Sequence, residues 1–296
     1  MSNRPRSPLM ATVNVTGVCN LQCRYCFFQP RQSVHMLRQD FSDVLDVLCA
    51  EEVFLLTISG GEPFTHPDIG DMLREAHTRF PHVMTLTNGT LINDKHLKSI
   101  EAIVDSKGAF PIQVSLDAID SDTNALTRGA SGRVLKSITQ LREIGAHVTV
   151  AAVVTSCNIQ ILPEVICQLA KVVNRFHIMP VKPVRALKGA DADLSVSASE
   201  METLWRTLQS VRETSEVQLR TPHDDCNNLQ TVAQGAPCMA GFSQLVIDPD
   251  LDVRPCDRCT TAKVGSLREN SLRDIWESDS IRKVWQAERP YCGMPP

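Results

Sequence analysis

The chain has 296 residues, 43% of them apolar and 22% charged, enough to bury one large core with an appendage or two modest ones. A formal net charge of -4 argues against a general nucleic-acid surface, and no run approaches the roughly 18 apolar residues of a membrane helix. Eleven cysteines with no secretion signal behind Arg4 and Arg6 read as reduced thiols and metal ligands rather than disulfides, so the expected compartment is the cytoplasm.

The first apolar run, Leu9–Val15, reads as a strand, and the loop leaving it carries Cys19, Cys23 and Cys26 within eight residues. Three thiolates can hold three irons of a 4Fe–4S cluster and leave the fourth open. A structural zinc loop would more usually bring two separated Cys pairs. Further strands are expected at Val53–Ser59, Val83–Thr87, Ile112–Leu116, His147–Val154 and Arg175–Met179. Helical patterns fall between them near Ser42–Ala50, Asp68–Arg79, Asp94–Ile103, Val134–Ile144 and Pro163–Val172. Such alternation predicts an α/β fold with parallel strands and a site at their C-terminal ends. Cys49 and Cys167, inside apolar helical patterns, are expected to be buried, and Cys157 to be structural.

The residues after each strand bear this out. Ser59-Gly60-Gly61-Glu62-Pro63 follows the second, where two glycines allow close approach of backbone to ligand and Glu62 offers an anionic acceptor. Thr87-Asn88-Gly89-Thr90 follows the third and Ser115-Leu116-Asp117-Ala118 ends the fourth. Taken in order over about residues 10–182, these motifs resemble those of the radical S-adenosylmethionine (SAM) superfamily, whose signature is Cys-x3-Cys-x2-Cys with an aromatic residue, here Tyr25, before the last Cys. The resemblance implies a partial (β/α)6 barrel over residues 1–182. It implies that Cys19, Cys23 and Cys26 hold the cluster and that Gly60, Gly61 and Glu62 hold the SAM amino group. Tyr25, Asn88, Ser115, Arg128 and Met179 complete the implied SAM contacts. Relatives often carry His-Asp before the Arg-Gly, where this chain has Asn124-Ala125.

Residues 183–225 read as a linker and a connecting helix, Ser199–Glu213. Over 226–296 the cysteines return as Cys226, Cys238, Cys256, Cys259 and Cys292, around a β-hairpin with its turn at Asp248–Asp252 and a helix at Ser271–Glu277. This part resembles the SPASM/twitch extension, a small hairpin-plus-helix unit carrying auxiliary iron–sulfur clusters, although Leu251 stands where relatives often have Gly. Five cysteines suit one auxiliary cluster, with Cys238, Cys256, Cys259 and Cys292 as its expected ligands and Cys226 competing with Cys259; a four-cysteine zinc site has the same spacing.

The resemblance implies reductive cleavage of SAM to a 5′-deoxyadenosyl radical that abstracts hydrogen from an unactivated carbon. Oxidation or epimerisation would follow, with Asp225 as base and Cys226 as hydrogen donor. A reductase or a flavodoxin- or ferredoxin-type protein would supply electrons. Only 18 residues precede Cys19, which leaves no leader-peptide-binding domain there and favours a small polar substrate (an amino sugar, aminocyclitol or nucleoside) over a precursor peptide.

Overall fold

The computed structural model describes residues 4–26, 28, 34–129, 131–181, 192–214, 218–221, 239–259 and 262–286. In chain order the elements are β1 (Met10–Asn14), α1 (Arg38–Ala50), β2 (Leu55–Ser59), α2 (Ile69–Arg79), β3 (His82–Thr87), α3 (Asp94–Lys107) and β4 (Pro111–Ser115). Next come α4 (Ser121–Ala125), α5 (Gly132–Glu143), β5 (His147–Val154), α6 (Leu162–Leu169), β6 (Arg175–Pro180), α7 (Ala198–Thr214) and β7 (Gln218–Arg220). The C-terminal part adds β8 (Gln244–Ile247), β9 (Asp252–Arg254), β10 (Gly265–Ser266), α8 (Leu272–Glu277) and α9 (Asp279–Trp285). No described helix is long and apolar enough to cross a membrane.

The chain divides into two compact units. The first comprises Met1–Asn20, Phe27–Leu86 and Cys226–Pro296. Its strands run in the order β10-β9-β8-β1-β2-β3. β1 pairs in parallel with β2 on one side and with β8 on the other. β8 and β9 form the antiparallel hairpin expected from the sequence, and Leu251 in its turn takes a left-handed φ of 69°. That conformation costs a leucine about 1 kcal/mol or more. Burial of its side chain to 8% exposure offsets the strain. Trp276 on α8 is buried, and the Arg4 guanidinium lies 3.8 Å from its ring centroid. Arg4 also donates to the carbonyls of Gly241 and Trp276 at 2.9 and 2.8 Å. Replacing Arg4 by Ala should therefore cost about 2 kcal/mol from the stacking and the two hydrogen bonds together, read as a lowered unfolding midpoint. An unchanged midpoint would show that this clasp contributes nothing.

The second unit comprises Leu21–Cys26 and Thr87–Asp225. Its strands run β4-β5-β6-β7, all parallel. β5 is almost continuously apolar because both of its faces are covered, the usual condition of an inner parallel strand.

Two cysteines depart from expectation. Cys49 and Cys167 are exposed, not buried. α1 buries Phe41, Val44, Leu45 and Leu48, and α6 buries Leu162, Val165, Ile166 and Leu169. Each cysteine follows a buried residue by one position, about 100° round the helix and off the apolar stripe.

Candidate functional site

In the first unit, β1 ends at Asn14 and the chain continues through Thr16–Val18 to Cys19 against the loop after β2. Gly61 N–H donates to the Thr16 carbonyl and Glu62 N–H to the Val18 carbonyl, both at 2.8 Å. A Cβ on Gly60 would stand 2.3 Å from Thr16 O, and one on Gly61 would stand 2.3 Å from Val18 O. Gly60 also has a φ of 137°, open only to glycine. The pair is thus a cradle that only bare backbone can form. Glu62 is 1% exposed, and its carboxylate accepts from Phe64 N–H at 3.1 Å, capping the short 3₁₀ turn Pro63–Thr65.

In the second unit, Cys26 N–H donates to the Cys23 carbonyl at 3.0 Å, closing a turn that carries Arg24 and Tyr25. Arg24 N–H bonds the Thr127 carbonyl at 2.9 Å. Arg128 directs Nη2 at the Cys23 sulfur, 4.0 Å away, with its guanidinium 5.7 Å from the Tyr25 ring centroid. Asp117, 1% exposed just past β4, organises this group. Its carboxylate accepts from Tyr25 Oη at 2.5 Å, Thr127 Oγ1 at 2.7 Å and Val153 N–H at 3.0 Å, and lies 3.9 Å from Arg128 Nη1. Burial opposes the charge on Arg128, yet the Asp117 carboxylate and the Cys23 sulfur offset it and hold the guanidinium above the ordinary arginine range. Burial likewise pushes the Tyr25 phenol well up, so it stays a hydrogen-bond donor at any working pH.

Asn124, which stands where relatives often have His, has a structural task. Its Oδ1 accepts from the N–H groups of Asp117 and Ala118, and its Nδ2 bonds the Gly129 carbonyl. Asn158 Nδ2 bonds the Asp117 carbonyl at 3.1 Å. The sequence motifs include Asp117 and Asn124 without assigning either a role, and Asn158 gives no signal of its own, although a carboxylate ending an apolar strand was a usable signal. Of the other expected SAM contacts, Ser115 is the partly exposed last residue of β4 and Met179 is partly exposed on β6, while Ile178 beside it is fully buried. Asn88 Oδ1 accepts from Thr90 N–H and Oγ1, fixing the turn after β3.

The C-terminal pair, again in the first unit, repeats the turn geometry: Cys259 N–H donates to the Cys256 carbonyl at 3.1 Å. A hydrogen bond with Cys259 draws the Cys256 thiol down to about 7, against burial that pushes it up. An acidified thiol paired with a second one is a suitable donor set for iron. Asp225, Cys226, Cys238 and Cys292 lie outside the described residues. Among the described residues, no three His, Cys, Asp or Glu side chains converge as a metal-binding group. The fit to a cluster and SAM rests instead on the glycine cradle, the guanidinium against the Cys23 sulfur and the Cys256–Cys259 turn.

Residues 13–176 match the model of the radical SAM superfamily, and residues 238–294 match that of an iron–sulfur cluster-binding domain, SPASM. The antilisterial bacteriocin subtilosin biosynthesis protein AlbA of Bacillus subtilis is 28% identical over 98% of this chain and 64% of its own. An AdoMet-dependent heme synthase of Methanosarcina barkeri is 24% identical over 99% of this chain and 89% of its own. The crystal structure of Streptococcus suis SuiB bound to precursor peptide SuiA superposes with a TM-score of 0.79 at 18% identity, over 94% of this chain and 66% of SuiB. The chain thus spans about two thirds of the length of AlbA and of SuiB. The expectation of a small polar substrate is overturned by AlbA, which is named for making a bacteriocin; SuiB, similar in fold, is seen bound to a precursor peptide.

Proposed function

The chain belongs to the radical SAM superfamily and carries a SPASM iron–sulfur domain, and from that premise we propose that it modifies a ribosomally made precursor peptide. Its cofactors are SAM, a 4Fe–4S cluster and an auxiliary iron–sulfur cluster. The similarity to AlbA along 98% of the chain carries the peptide reading. When bound, the cluster and SAM supply an electron and a 5′-deoxyadenosyl radical able to take hydrogen from an unactivated carbon.

In this reading Cys19, Cys23 and Cys26 are the cluster ligands, and Gly60, Gly61 and Glu62 receive the SAM amino group. Arg128 keeps a fixed positive charge against Cys23, and Tyr25, anchored by Asp117, presents its ring beside the last cysteine. Ser115, Asn88 and Met179 complete the SAM contacts. Cys238, Cys256, Cys259 and Cys292 are assigned to the auxiliary cluster. Asp225 is the base for an oxidation, and Cys226 the hydrogen donor for an epimerisation.

The test is to incubate the reconstituted, reduced enzyme with SAM and a panel of candidate precursor peptides, in heavy water, and follow peptide mass. A peptide two hydrogens lighter, with no deuterium on carbon, assigns oxidation, and loss of that product in Asp225→Asn assigns the base. A peptide that gains one deuterium on carbon assigns epimerisation, and loss of that label in Cys226→Ala assigns the donor. Consumption of a non-peptide substrate, with every peptide untouched, would contradict the proposal.

A further inference from the structure

Beyond β9 the chain passes from Arg254 through Pro255 to Cys256, and Arg254 is 5% exposed although it carries a full charge. Its Nε and Nη2 bond the two carboxylate oxygens of Asp248, the latter at 2.7 Å, while Nη1 reaches the carbonyls of Cys256 at 3.4 Å and Asp257 at 3.1 Å. The Cys256 carbonyl is therefore shared between Arg254 and the Cys259 amide that closes the turn. Asp248 in turn accepts from Asn14 Nδ2 at 2.8 Å, and Asn14 is the buried last residue of β1. A continuous polar chain runs from the end of the first strand to the backbone of the C-terminal cysteine turn, entirely within one compact unit.

We propose that Arg254 is the positioning residue of the Cys256–Cys259 pair, gripping the turn that presents both thiols and fixing it, through Asp248 and Asn14, to the end of β1. Only a planar guanidinium suits the task, because two carboxylate oxygens and two carbonyls are reached at once from three nitrogens. A lysine ammonium could restore the charge but not the fork. The inference rests on the assignment of these two cysteines to the auxiliary cluster, and not on the identity of the substrate.

The test uses the full chain with Cys19, Cys23 and Cys26 replaced by Ala, so that only the C-terminal cluster is read. After anaerobic reconstitution, iron and sulfide per chain, the electron paramagnetic resonance spectrum and the midpoint potential are compared with and without Arg254→Gln. Iron content should fall at least twofold and the remaining signal should change in g values and potential, with Arg254→Lys recovering only part of each. Unchanged iron, spectrum and potential in Arg254→Gln would overturn the proposal. Should that variant not fold, Asn14→Ala and Asp248→Asn decide: a shifted spectrum in either supports the chain of contacts, and a parental spectrum in both overturns it. If the parent itself binds no iron, the cluster assignment fails separately. The positioning claim is then judged on iron-free protein, where exchange of the Cys259 amide should speed at least tenfold in the Arg254 or Asn14 variants; equal exchange overturns it.

Discussion

Gly61→Ala is expected to abolish SAM cleavage while leaving a folded protein, and Gly60→Ala to do the same. At Gly61 the added methyl would stand 2.3 Å from Val18 O and 2.6 Å from Val18 C, so backbone and not a flexible side chain must move. At Gly60 the clash with Thr16 O is compounded by a φ of 137° that alanine does not adopt. The displaced segment is the one that leads directly into Cys19, and its hydrogen bonds to Gly61 and Glu62 would lengthen with it. A shift of about 1 Å in a positioning element can cost roughly 10²-fold in rate. Formation of 5′-deoxyadenosine should therefore drop by at least about that factor. Gly132→Ala is the control: its Cβ meets nothing within 4 Å, and it should leave activity and stability nearly as they were. Wild-type turnover in Gly61→Ala would mean that the loop after β2 does not position the cofactor.

Asp117→Ala should have the second largest effect, on stability as well as on rate. The substitution strands Tyr25 Oη and Val153 N–H, leaves Thr127 Oγ1 only its 3.3 Å bond to the Asn124 carbonyl, and removes the carboxylate facing Arg128. Breaking a buried charge pair from one side costs about 3–5 kcal/mol, since the partner is left uncompensated. Asp117→Asn keeps the shape and loses the charge, and so should fall between wild type and Ala in unfolding midpoint. Tyr25→Phe removes a single hydrogen bond, for about 1 kcal/mol, but frees the ring that faces the Arg128 guanidinium. Denaturant titration of the three variants, with 5′-deoxyadenosine measured alongside, separates anchoring from global stability. If Asp117→Ala is as stable and active as the parent, the carboxylate does not organise this turn.

Much of this was legible in advance for a physical reason. The parallel strands are long apolar runs bounded by turn residues, so β5 is found at His147–Val154 as its run predicts, and the motifs fall where parallel strands end. The hairpin β8–β9 was also readable, from Asp and Pro between two β-branched runs. Pairing of β8 with β1 was not, because register between segments more than 230 residues apart leaves no local trace. For the same reason the polar network escaped notice: Asp117 meets Tyr25 across 92 residues and Asn158 across 41. Arg254 carries no local signal in the sequence, and only the fold reveals that its partners are Asp248 and the carbonyls of the turn ahead of it. Cys49 and Cys167 were misjudged because an apolar neighbourhood in sequence spans both faces of a helix, whereas burial selects one.

The central claim, that Cys19, Cys23 and Cys26 support radical cleavage of SAM in a two-cluster enzyme, has one direct test. The wild-type chain and the variant with all three replaced by Ala are reconstituted anaerobically, reduced with dithionite and supplied with SAM. The wild type should form 5′-deoxyadenosine and methionine in equal amounts, while the variant forms neither yet still retains iron and sulfide in its C-terminal part. A fully iron-loaded wild type that leaves SAM intact would contradict the account, and so would a variant that cleaves it.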